Sequence, residues 1–182
     1  MFEYFGGNYS WDLGVLMALQ LGGHPSEIDE ACRGLKPWAA REDAKTNPEV
    51  QTAWLEAWLG IAEKVSAKAA ADEERGHSLS AANKYRSACV YYQSAERMAP
   101  HGDARKQDCY RRYLETFEKA VKLAGLPMEW VEVPYEGSSL PCLFLPGAGE
   151  GPRPCMIGFD GFDVTKEWTY LSGMAPELAR RG

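Results

Sequence analysis

Gly158-Phe159-Asp160-Gly161-Phe162-Asp163-Val164-Thr165-Lys166-Glu167 is the stretch on which the reading of this chain turns. It begins at the end of Cys155-Met156-Ile157-Gly158-Phe159, a short apolar run between turn signals. Such a run reads as a strand buried on both faces. A Gly-containing turn follows it. A helix is then expected from about Glu167 to Arg181, with Gly182 where a C-cap glycine would sit. Working back, Pro146 to Pro154 is a Gly/Pro loop. Trp130-Val131-Glu132-Val133-Pro134 alternates as a strand does, and Leu140-Pro141-Cys142-Leu143-Phe144-Leu145 reads as its hairpin partner across a turn at Gly137-Ser138. Pro141 has no amide to donate, which suits an edge or irregular position. Three strands are therefore expected within residues 129–160.

Upstream of Pro127 the period is helical. Asn47-Pro48 opens a long helix, with Asn as cap and Pro at the first helical position. Val50, Trp54, Trp58, Ile61 and Val65 form its apolar stripe, and Gly76 stops it. A second helix starts near Ser78 with the stripe Ala81, Tyr85, Ala88, Tyr92 and Ala95, and ends at Pro100. A third starts near Asp103 with Tyr110, Leu114, Phe117, Val121 and Ala124, closed by Gly125 and Pro127. Short connections make the three antiparallel neighbours. Two shorter helices precede them. One runs from about Trp11 to Leu21 after Ser10, and the other follows Pro25-Ser26 and ends near Gly34. Helices, hairpin, apolar strand, loop, helix is the order in which an α/β sheet opens.

Composition excludes several classes. With 182 residues, 45% of them hydrophobic, the chain can bury a real core. A net charge of −6 without a basic stripe argues against nucleic acid and against an anionic membrane surface. Residues 13–21 are apolar, but no Lys or Arg precedes them and Glu3 and Asp12 are acidic, so they read as a buried helix rather than a signal peptide. Nine residues are also too few to cross a bilayer. Cys32, Cys89, Cys109, Cys142 and Cys155 form no C-x-x-C pair and have no zinc spacing. They read as reduced, structural thiols, which suits the cytoplasm. No metal or cofactor is expected.

Three stretches, in order, resemble one branch of the α/β-hydrolases. The helix containing Ser80-Ala81-Ala82-Asn83-Lys84-Tyr85-Arg86-Ser87-Ala88-Cys89-Val90-Tyr91-Tyr92 is similar to the branch's helical domain. Val133-Pro134-Tyr135-Glu136-Gly137-Ser138-Ser139-Leu140-Pro141 is similar to its entry hairpin. Asp160-Gly161-Phe162-Asp163 with Lys166-Glu167 looks like its oxyanion loop. The branch includes 2,6-dihydroxypseudooxynicotine hydrolase, FrsA-like esterases and fungal yellowish-green-pigment hydrolases that shorten polyketides.

The resemblance implies a helical cap-like domain over residues 1–126. Residues 127–182 would be the start of an α/β-hydrolase domain, stopping before the nucleophile elbow. It implies a serine nucleophile, an acid and a histidine that cleave a C–C or ester bond in a small ketone or polyketide-like substrate. By position, Phe162 would supply an oxyanion-hole amide and Gly161 would make room for it. Asp163, Lys166 and Glu167 would support that loop. The family strand order 1-2-4-3 would keep the strand at 155–159 apart from the hairpin, with a later strand between them.

No G-x-S-x-G occurs in the chain. Ser138 and Ser139 lie in a hairpin, and His24, His77 and His101 all lie in the helical part, so none is read as catalytic. The chain alone is accordingly expected to be inactive. Its expected partner is a small-molecule substrate, with no nucleic acid and no membrane, and a homodimer is left open. The competing reading is a helical protein-interaction module without catalysis. Against it, residues 47–125 show no fixed repeat period, and arrays need about three repeats. A third reading is a lone α+β domain.

Overall fold

The computed structural model describes residues 2–161 and 164–181. The chain divides into two compact units, residues 1–124 and 125–182.

The first unit is all helical. It contains α1 (Tyr9–Gln20), α2 (Pro25–Cys32), a 3-10 turn (Arg33–Leu35), α3 (Lys36–Ala39), α4 (Pro48–Glu74), α5 (Ser78–Arg97) and α6 (Ala104–Leu123). The three long helices fall where the 3.6-residue period places them. Asn47 caps α4 by accepting from the Glu49 amide at 2.8 Å, and Asp103 caps α6 by accepting from Arg105 at 2.9 Å. The α1 cap differs from expectation. Asn8, not Ser10, accepts from the Trp11 amide at 3.2 Å, because the helix begins two residues earlier.

Hydrogen bonds set the helix directions. Trp54 near the start of α4 donates its indole N–H to the Ser94 carbonyl near the end of α5, at 2.8 Å. Tyr85 near the start of α5 donates to Glu73 near the end of α4, at 2.8 Å. The two helices are therefore antiparallel. Lys106 at the start of α6 reaches the Glu96 carbonyl at 2.9 Å, so α5 and α6 are antiparallel too. Helices α4 and α6 then run side by side in parallel. Arg105 pairs with Glu56 at 3.1 Å and Arg112 with Glu63 at 2.9 Å, a constant offset one heptad apart.

The core of this unit is aromatic. Rings of Trp11 and Trp54 lie 4.8 Å apart, Trp54 and Trp58 5.4 Å, and Trp58 and Tyr91 6.0 Å. Trp54, Trp58, Tyr91 and Tyr92 are all buried. Tyr91 uses its hydroxyl twice, donating to Glu27 at 2.7 Å and accepting from the His24 amide at 2.8 Å. The α6 stripe departs from the expected one at its start. Cys109 and Tyr113 face the core, whereas Tyr110 is exposed. Both registers are apolar in sequence, so only contact with α5 selects between them.

The second unit holds a hairpin, β1 (Glu129–Tyr135) and β2 (Ser138–Phe144), then α7 (Lys166–Leu171) and α8 (Met174–Arg181). The strands pair antiparallel, with Glu129 opposite Phe144 and Tyr135 opposite Ser138. The turn is Glu136-Gly137, not Gly137-Ser138, and both residues have positive φ, 45° and 79°. That is the type I′ pattern whose twist matches a two-residue hairpin. Two expectations fail here. Residues 155–159 form no strand: Met156, Ile157 and Phe159 are 70%, 75% and 91% exposed. A strand exists only through its neighbours' hydrogen bonds, and among the described residues only β1 and β2 pair as strands. The C-terminal helix is also broken in two at Ser172-Gly173, where Gly173 takes φ 85°. A residue in the left-handed region ends a helical turn.

None of the five cysteines forms a disulfide among the described residues. Cys32, Cys89 and Cys109 are buried, and Cys142 is half-buried in β2. Cys155 is exposed, contrary to its reading as a structural thiol. Burial pushes the Cys109 thiol up to about 11 and the Cys32 thiol well above its usual range. A raised thiol stays protonated at neutral pH, and the thiolate is the reactive form. Native labelling with iodoacetamide should therefore modify Cys155 first and Cys142 next. Cys32, Cys89 and Cys109 should react only as the helical unit unfolds. Peptide mass spectrometry over a urea series checks the order; early labelling of Cys32 would contradict it.

Candidate functional site

The segment from Asp160 to Leu171 carries the residues singled out for chemistry. Thr165 precedes α7 with extended backbone, φ −113° and ψ 166°, and the Trp168 amide donates to the Thr165 carbonyl at 2.9 Å. The loop ahead of it closes through the Val164 amide, which donates to the Gly161 carbonyl at 3.3 Å. Thr169, one turn into α7, donates its hydroxyl to Asp160 Oδ1. That bond ties the two ends of the loop together. Sequence reasoning missed it, since a polar pair nine residues apart across a loop has no periodic signature.

Glu167 is the most buried charged group of the segment, at 1% exposed. Its Oε1 pairs with Lys166 Nζ at 2.7 Å, while Oε2 is buried with no hydrogen-bond partner among the described residues. An ionised carboxylate out of water needs a countercharge and donors, and Lys166 meets the first need only in part. Glu167 stands in the first turn of α7, where exposed backbone amides favour negative charge. The pair thus fixes the start of the helix that follows the loop.

Of the expected site residues, Gly161, Lys166 and Glu167 are brought together within one short segment. Phe162 and Asp163 lie outside the described residues. Gly161 is exposed, and a Cβ there would meet nothing within 4 Å. Its own unit therefore does not demand a glycine at this position. The serines and histidines set aside in the sequence sit as expected. Ser139 donates to Glu132 at 2.5 Å across an exposed part of the hairpin. His24, His77 and His101 are exposed in the helical unit. His24 Nδ1 lies 2.8 Å from the Ser26 hydroxyl. Among the described residues no group of three or more His, Cys, Asp or Glu could hold a metal ion. No helix among them is long and apolar enough to cross a membrane.

No protein-family model matches the chain. Individual proteins do. The 2,6-dihydropseudooxynicotine hydrolase of Paenarthrobacter nicotinovorans is 30% identical over 127 residues, which is 70% of this chain and 34% of that protein. The α/β-hydrolase pydG of an Acremonium species is 33% identical over 132 residues, 70% of this chain and 30% of that protein. A crystal structure of 2,6-dihydroxy-pseudo-oxynicotine hydrolase superposes with a TM-score of 0.63 at 26% identity, covering 87% of this chain and 40% of that one.

Over about 70% of its length the chain is similar to α/β-hydrolases. It spans about a third of the length of the curated hydrolases it matches. As 87% of the chain is covered by the hydrolase crystal structure, the likeness extends over helices as well as the sheet entry. The described part of the chain is mostly helical with a two-stranded antiparallel sheet.

Proposed function

We propose that this chain forms the cap-like helical domain and the sheet entry of a serine α/β-hydrolase. The enzyme would cleave a C–C or ester bond in a small ketone or polyketide-like substrate. The observation that carries this reading is the likeness, in sequence and in structure, to a hydrolase named for a pseudooxynicotine substrate. In this reading the loop after residue 159 supplies half of an oxyanion hole. The Phe162 amide donates to the developing oxyanion and Gly161 leaves the approach open. Lys166 and Glu167, with Asp163, hold the loop against the start of α7. In this reading no residue of this chain is assigned as nucleophile, acid or catalytic histidine.

A chain with half an oxyanion hole and no nucleophile should not turn over esters. Loss of one oxyanion donor alone costs a factor of about 10²–10³, and loss of the nucleophile costs far more. The purified chain is expected to hydrolyse p-nitrophenyl acetate at the buffer rate. Turnover abolished by Ser138→Ala or Ser139→Ala would mean that the hairpin carries a nucleophile. Turnover surviving both changes would place a site elsewhere. The coding sequence after codon 182 offers a direct check of the family mechanism. An open frame there should lead through a strand into G-x-S-x-G, and its absence in a continuing frame would sink the serine mechanism.

A further inference from the structure

Asp160-Gly161 is the only place in the chain where aspartate precedes glycine, and no asparagine does. Adjacent residues of these two kinds can react with each other. The glycine amide nitrogen attacks Cγ of the aspartate carboxyl group. A C–N bond forms, one carboxyl C–O bond breaks, and that oxygen leaves as water with the amide proton. The product is a five-membered succinimide. Water then opens the ring at either carbonyl. Opening at the side-chain carbonyl restores aspartate. Opening at the main-chain carbonyl leaves the chain running through the β-carboxyl group, as isoaspartate. No oxidant, metal or partner enters the balance. Glycine suits the step, because without a Cβ its nitrogen is approached freely and its backbone torsions are least restricted. Among the described residues, no acceptor meets the Gly161 amide, whereas the Gly161 carbonyl is held by the Val164 amide at 3.3 Å. Asp160 is half-buried, and its Oδ1 accepts from the Thr169 hydroxyl.

We propose that Asp160-Gly161 isomerises spontaneously to isoaspartate in this chain, and that the Thr169 hydroxyl restrains the step. Attack needs Cγ to lie over the Gly161 nitrogen, at a narrow combination of Asp160 main-chain and side-chain torsions. The bond to Thr169 ties the carboxyl group to α7, so it must break before the group can turn. The reacting atoms belong to adjacent residues, so the step needs no partner and no face left open. Isoaspartate adds one carbon to the main chain, about 1.5 Å of path. In the oxyanion-loop reading that change falls beside Gly161, where a misplacement of about 1 Å costs on the order of a hundredfold in rate. The isomerisation itself does not rest on that reading.

Ageing the purified chain in warm neutral buffer tests both halves. Endoprotease Asp-N cuts before aspartate but not before isoaspartate, and electron-transfer fragmentation of the uncut peptide places the change. The isomer keeps the original mass, and the succinimide is lighter by one water. Isoaspartate at residue 160 should accumulate about fivefold or more faster than at Asp43 or Asp103, each followed by alanine, on the scale of the freedom glycine has over alanine. Gly161→Ala should slow it about fivefold for the same reason. Alanine fits there, since a Cβ would meet nothing within 4 Å. Thr169→Val keeps the shape and loses the donor, and should speed the reaction about fivefold, the worth of one partly exposed bond to a carboxylate. Thr169→Ser keeps the donor and should age at the parent rate. Residue 160 ageing no faster than Asp43 and Asp103, or Gly161→Ala ageing at the parent rate, would overturn the isomerisation. Thr169→Val ageing at the parent rate, or Thr169→Ser ageing as fast as Thr169→Val, would overturn the restraint.

Discussion

Trp58→Ala should destabilise the helical unit by about 3–5 kcal/mol, the range for deleting a buried aromatic. Trp58 is fully buried and stands between Trp54 at 5.4 Å and Tyr91 at 6.0 Å, so its loss breaks the aromatic row in the middle. Against a typical domain stability of about 5–15 kcal/mol, this is a large fraction. The informative comparison is with phenylalanine. The Trp58 indole N–H is buried with no partner among the described residues, so it contributes a desolvation cost and no hydrogen bond. Trp58→Phe removes that orphan donor and should cost much less than the alanine change. At Trp54 the order of effects reverses its cause. Its indole N–H donates to the Ser94 carbonyl at 2.8 Å, and Trp54→Phe removes that bond. Urea unfolding followed by circular dichroism at 222 nm reads all three. If Trp58→Phe proved as costly as Trp58→Ala, an unseen partner for the indole would be required.

Hydrogen exchange should separate the two units by about a thousandfold or more. In the first unit the amides of α4, α5 and α6 sit over a core that includes Ala69, Ala81, Tyr85 and Ala120. Their exchange requires opening that core, at a cost approaching the stability of the whole unit. The hairpin has no such cover. Val131, Val133 and Tyr135 share one face with Leu140 and Cys142 across the strands, and Val131, Val133, Tyr135 and Leu140 are exposed. A two-stranded hairpin is marginal by itself in water. A difference of each 1.4 kcal/mol is tenfold, so a gap of about 4 kcal/mol or more between the units gives the stated ratio. Residues 129–161 and 164–181 are expected to exchange fast and residues 78–124 slowly, as followed by mass spectrometry of peptic fragments. Equal protection in the two would mean that the hairpin faces are covered, and would remove the physical reason given for the missing strand at 155–159.

The candidate site was legible in outline and illegible in detail. Gly161, Lys166 and Glu167 could be named because a glycine turn between an apolar run and a helix start is a local pattern. The short reach of that pattern also explains what it missed. It carries no sign of the Asp160–Thr169 bond, nor of which carboxylate oxygen of Glu167 finds a partner. Cys155 shows the same limit in packing: an apolar neighbourhood in sequence did not make it buried.

The local elements were determined by the sequence alone. Stripes at three- and four-residue steps, with Asn47, Asp103 and proline at the proper ends, sufficed to place α4, α5 and α6, because helix hydrogen bonds close within four residues. Alternation and a glycine turn signal sufficed for the hairpin, whose partners lie within fifteen residues of each other, although the turn expected at Gly137-Ser138 falls at Glu136-Gly137. Everything that depends on a distant neighbour was decided by tertiary structure. Which register of α6 is buried follows from contact with α5, and Trp54, Trp58 and Tyr91 are core because three helices bring their rings together. Residues 155–159 are as apolar as any buried strand, yet they remain open, since a strand's backbone groups can be satisfied only by another strand beside it.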